Sequence, residues 1–174
     1  MSRTSPDRIQ KLLDEAEGYL MLDLPEHALR ILENRPDWGS MQFEACLLKG
    51  EALRQLELYR DALKPLEMAA TLRPTSMQVA LSLAWCYKRT NRLAQAIDLL
   101  MQALGKHPDE PLLHYNLACY WSLAGDSSKA LDELARALEL EPDLRTSISL
   151  ESDFDQLRGN PEFERIAYGN APQT

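Results

Sequence analysis

The stretch LAWCYKRTNRLAQAIDLLMQALGKHP, residues 83–108, decides the fold. Its key positions return every 34 residues along the chain. Ala96 stands in line with Ala28, Ala62 and Ala130. Ala84 is matched by Ala16, Gly50 and Ala118, and Leu100 by Leu32, Leu66 and Leu134. Tyr87 shares its column with Tyr19, Leu53 and Trp121, and Pro108 with Pro74 and Pro142. Such an interval accommodates two antiparallel helices per unit. The units run 9–42, 43–76, 77–110 and 111–144.

Each column has a physical reason. The two small-residue columns mark where the helices of one unit cross at close range. The leucine and aromatic columns fill the space between neighbouring helices. One helical pair cannot bury its apolar face alone, so such units stack and share a core.

The motifs Lys49-Gly50 through Ala62 to Pro74, Leu83-Ala84 through Ala96 to Pro108, and Leu117-Ala118 through Ala130 to Pro142 resemble the tetratricopeptide repeat family. The resemblance covers residues 9–144. It implies an all-α fold, a right-handed α-solenoid of four helix-turn-helix units, and a module for binding other proteins. Residues 145–170 do not repeat. Ser152 to Arg158 and then Pro161-Glu162-Phe163 are similar to the tail that ends some bacterial arrays of this kind. That likeness implies C-terminal capping helices over the last unit, with Leu144, Ile148, Leu150, Phe154, Leu157, Phe163 and Ile166 as the apolar side. A frayed tail at 171–174 is expected.

A chain of 174 residues suits a single domain over 1–174. The charged fraction of 26% and the lack of any apolar run of sufficient length argue against a membrane span, and the start reads as having no apolar targeting segment. A cytoplasmic location is expected. Three cysteines, Cys46, Cys86 and Cys119, lie inside helical patterns and read as structural thiols of a reducing compartment. The net charge of −8 disfavours nucleic acid and anionic membranes. It also suits a solvated outer face.

Local signals refine the helices. Ser5-Pro6 and Asp109-Glu110-Pro111 read as helix starts, Thr75-Ser76-Met77-Gln78 as a capping box, and Asp126 as a cap. Gly18 weakens the first helix. Pro36 stops the second helix of unit one about a turn early. Trp38, in the linker that follows, either folds back over the exposed core or meets a partner. Pro65 predicts a kink near 61–64, not a break.

No phosphate loop, catalytic cluster or zinc spacing occurs, so no catalytic residue, metal site or cofactor is expected. His27, His107 and His114 show no evident carboxylate partner in the sequence. By the family resemblance, the first helix of each unit lines a concave groove. Its candidates are Leu13, Glu17 and Leu20, then Leu47, Glu51 and Arg54, then Leu81, Trp85, Lys88 and Arg89, and finally Tyr115, Asn116 and Cys119. The groove lacks the two-carboxylate clamp by which some relatives hold the acidic tail of heat-shock chaperones. It offers an apolar track between charges, suited to an apolar or amphipathic peptide. The function expected is a non-enzymatic scaffold or adaptor. A self-associating module and a secretion-type chaperone are the alternatives, and the groove is either open or filled by the chain itself.

Overall fold

The computed structural model describes residues 6–35 and 37–169. Among these there are helices and turns but no strand. Contacts cluster into two compact units, Met1–Arg92 and Leu93–Thr174. The first holds α1 (Pro6–Met21), α2 (Pro25–Glu33), α3 (Gln42–Gln55), α4 (Tyr59–Leu72) and α5 (Met77–Arg89). The second holds α6 (Leu93–Leu104), α7 (Pro111–Leu123), α8 (Ser127–Leu140), α9 (Arg145–Ile148) and α10 (Pro161–Tyr168).

The small columns are where close packing demands them. Ala28, Ala62, Ala96 and Ala130 are fully buried, as are Ala16, Ala84 and Ala118. At Gly50 the reason is visible: a Cβ there would lie 2.4 Å from Cγ and Cδ2 of Leu66 across the α3–α4 hairpin.

The turns inside the units repeat as strictly as the helices. The amide of Leu24 donates to the carbonyl of Tyr19 at 2.9 Å, Leu58 to Leu53 at 2.9 Å, Arg92 to Tyr87 at 2.8 Å and Asp126 to Trp121 at 3.0 Å. Each closes a helix with a six-to-one bond. The acceptors are the aromatic column. Such a closure needs a left-handed residue just before the donor. Those residues are Asp23 (φ 57°), Glu57 (59°), Asn91 (61°) and Gly125 (81°), again 34 apart. Aspartate and asparagine tolerate this conformation better than glutamate does. Glu57→Gly is therefore expected to stabilise the chain by about 0.5–1 kcal/mol, read as a higher urea midpoint.

Helix α2 has nine residues against fourteen in α4, so the early stop is real. Pro36 itself lies outside the described residues, as do Ser5 and residues 170–174. Trp38 folds back into the core of the first unit, with Leu13, Ala16 and Leu32. Helix α4 continues through Pro65 unbroken. Ser76 caps α5 by accepting from the Val79 amide at 3.4 Å. The third helical position is Val79, which has no acceptor to return, so the cap is single and not a box. Glu110 makes no side-chain cap on α7, which begins with Pro111 alone. Asp126 caps α8 through the Lys129 amide at 3.1 Å.

Residues 145–169 pack on α7 and α8 in the second unit. Ile148, Phe154, Leu157 and Phe163 are buried there. Leu150, expected on the same apolar side, is 88% exposed, because the chain turns out of α9 at that point.

Candidate functional site

In the first unit α1, α3 and α5 lie side by side, and their shared face carries most of the candidate residues. The structure divides those candidates sharply. Leu13, Leu20 and Leu47 are buried in packing between helices, so they form no open track. Leu13 is 2% exposed and belongs to the core cluster around Ala16. Glu17 and Arg89 are exposed, and Glu51, Arg54, Leu81, Trp85 and Lys88 are half-buried.

Charges on this face are held by one another. Arg54 donates to Glu51 Oε2 from Nε at 3.0 Å and from Nη2 at 2.8 Å. The other Glu51 oxygen accepts from the Ser82 hydroxyl, which ties α3 to α5. Gln55 Nε2 donates to the Leu20 carbonyl at 3.4 Å and ties α3 to α1. Lys88 Nζ sits 4.3 Å from the centre of the Trp85 ring, and the Arg89 guanidinium 4.9 Å from that of Tyr59. Behind them, burial pushes the Cys86 thiol up to about 11; Arg54 lowers it and Glu51 raises it. The thiol therefore stays protonated near neutral pH and makes a poor nucleophile.

In the second unit the matching face of α7 is covered. Phe154 meets Tyr115 edge-on, with ring centres 5.7 Å apart, and Phe163 lies 5.6 Å beyond. Ser122 Oγ donates to the Asp153 carbonyl at 2.7 Å. Tyr115 and Cys119 are thus closed off by the chain's own tail. The Tyr115 hydroxyl is buried without a hydrogen-bond partner, and burial above all pushes its pKa up, with Cys119, Glu151 and Asp153 adding to the effect. Asn116, expected in the groove, donates its amide to the Leu112 carbonyl at 2.8 Å on its own helix.

Two clusters go beyond what the sequence signals. His114 does have a carboxylate partner: Nδ1 lies 2.6 Å from Glu133 Oε2, and Nε2 lies 2.9 Å from the Pro108 carbonyl. The ring joins α7 to α8 and to the turn ahead of it. Cys119, Glu151 and Asp153 bring one ligand-type atom each within 4.8 Å of the others. Glu151 Oε1 there accepts from the Asp153 amide at 3.1 Å and caps the turn Ser152–Leu157, which accounts for its position.

A tetratricopeptide repeat model matches residues 53–118, the span from the last turn of α3 into α7. Over that span the sequence matches the tetratricopeptide repeat pattern. No curated protein matches it. Among solved structures, MamA from Desulfovibrio magneticus RS-1 (residue 41 to its end) is 17% identical, with a TM-score of 0.72 over 92% of this chain and 93% of that one. A second MamA crystal structure is 19% identical, with a TM-score of 0.71 over 82% of this chain and 83% of its own. YrrB, a tetratricopeptide protein with an unusual peptide-binding site, is 19% identical, with a TM-score of 0.70 over 78% of this chain and 70% of its own. These likenesses establish the fold class, an all-α tetratricopeptide solenoid. No helix among the described residues is long and apolar enough to cross a membrane.

Proposed function

We propose that this tetratricopeptide protein is a non-enzymatic scaffold that holds a peptide segment of another protein on the α1, α3 and α5 face of its first unit. The observation that carries the reading is the half-buried pair Leu81 and Trp85, one helical turn apart on α5. A wall already fixed by the Glu51–Arg54 pair and the Ser82 hydroxyl stands beside them. A peptide apolar at two positions would bury both side chains, each contributing roughly 1.5–3 kcal/mol. Association itself costs on the order of 4–15 kcal/mol, so binding is weak and reversible. Glu17 and Glu51 on this face argue against an acidic chain terminus as the ligand. YrrB's peptide-binding site lends the reading support at the level of fold. Three buried free thiols accord with a reducing, cytoplasmic setting.

Leu81→Glu with Trp85→Glu tests it. Helicity by circular dichroism is expected to persist, while partner capture from a cell extract falls at least tenfold. Capture at the wild-type level would remove the site from this face. A wild-type chain that scatters light as a dimer, and dissociates in the double variant, would favour self-association.

A further inference from the structure

The short α2 leaves a second feature in the first unit. Its deficit against α4 is about a turn and a half of helix. Between α2, α3 and α4 lies an open cavity of about 1070 Å³. Pockets that hold drug-sized ligands run to roughly 300–1,000 Å³. On α3 the cavity takes Gln42, Ala45, Cys46, Lys49 and Leu53. These share one helical face, opposite the face of Leu47, Glu51 and Arg54. The two sites are therefore separate.

The floor is apolar and buried: Leu32, Trp38, Ala45, Cys46 and Leu53. Gln42 fixes part of it, accepting from the Trp38 amide and donating to Cys46 Sγ, each at 3.2 Å. The rim is basic, with Arg35, Lys49, Arg60 and Lys64 against Glu33 and Asp61. Lys49 is paired with Glu33 at 3.3 Å. Among the described residues Arg60 and Lys64 have no ion-pair partner, and both are exposed. In a chain of net charge −8 this rim runs against the general sign. Pro65 lines the same wall and offers no amide to the carbonyl of Asp61.

We propose that this cavity docks an acidic amphipathic helix from a partner protein. The partner's apolar residues take the volume that a longer α2 would fill. Its carboxylates meet Arg35, Arg60 and Lys64. Opposite charge across such a rim raises the on-rate and selects the partner. Docking here does not depend on the α5 face.

The test titrates the full chain, at physiological salt, with three labelled synthetic helices read by fluorescence anisotropy. One has a leucine stripe flanked by glutamates, one the same stripe flanked by lysines, and one glutamates with serines in place of leucines. The leucine–glutamate peptide is expected to bind at least tenfold more tightly than either of the others. Arg60→Glu with Lys64→Glu, both at exposed positions, should reverse the preference between the glutamate and lysine peptides. Leu81→Glu with Trp85→Glu should leave it unchanged. Equal binding of the two leucine peptides by the wild type would overturn the proposal. So would loss of binding in the Leu81/Trp85 variant alone. A wild-type dimer dispersed by the Arg60/Lys64 charge reversal would give the cavity to a second copy. Binding seen only after removal of residues 1–5 would give it to the chain's own start. Either result contradicts docking of a partner.

Discussion

Phe154→Ala is expected to lower the unfolding free energy by about 3–5 kcal/mol in urea denaturation, a large share of what a domain of this size has. The side chain is fully buried, set edge-on to Tyr115 and against Phe163. It is the central ring of the tail that closes the α7 face. Truncation leaves a cavity with aromatic walls that cannot easily collapse. It also loosens the cover over Tyr115 and Cys119. The variant should therefore associate at concentrations where the wild type does not, and Cys119 should react faster with a thiol reagent. Leu150→Ala is the control, because Leu150 stands out in solvent and its loss should change stability by no more than about 0.5 kcal/mol. A shift below about 1 kcal/mol for Phe154→Ala would mean that the tail does not seal the second unit.

The second large effect is at the α3–α4 crossing. Gly50→Ala is expected to cost about 1–3 kcal/mol despite alanine's better helix propensity, because the new methyl meets Leu66, which is itself fully buried. Leu66→Ala alone should cost about 2–5 kcal/mol. In the double variant the alanine methyl enters space that Leu66 has vacated. The combined loss should then fall short of the sum by about 0.5–3 kcal/mol. Strict additivity would show that the two residues do not share that contact.

The residues that made the fold legible are those whose role depends only on helix crossing. Ala62 or Ala96 must be small in any such hairpin, so periodicity alone identifies them. The turns were legible only in part. Gly125 signals a left-handed residue by its type, whereas Glu57 in the same place does not, and only the backbone reveals the match.

The binding face was harder for a specific reason. Leu13, Leu47, Leu81 and Tyr115 stand 34 apart and are apolar in every unit. Uniform polarity marks this column mainly as packing: Leu13, Leu47 and Tyr115 are buried, and Leu81 alone stays half-buried at the surface. The neighbouring column of Glu17, Glu51, Trp85 and Cys119 does vary, and its first three members reach the surface. Cys119 departs from it because the tail folds over α7; a cap over the last unit is expected from the sequence, but which side chains it covers is settled only by long-range packing. Nor could spacing foresee His114 with Glu133, which come together only when α7 and α8 are packed. The short α2 was readable from Pro36, but the basic rim beside it needed three helices to be placed together.

Whether the α5 surface around Trp85 receives the partner is open to direct measurement by photocrosslinking. A photoreactive amino acid is placed at position 85 in one variant and at exposed Gln156, in the tail, in another. We expect a covalent adduct with one polypeptide partner from position 85 and none above background from position 156. Adduct formation from position 156 with silence at position 85 would refute docking on this surface.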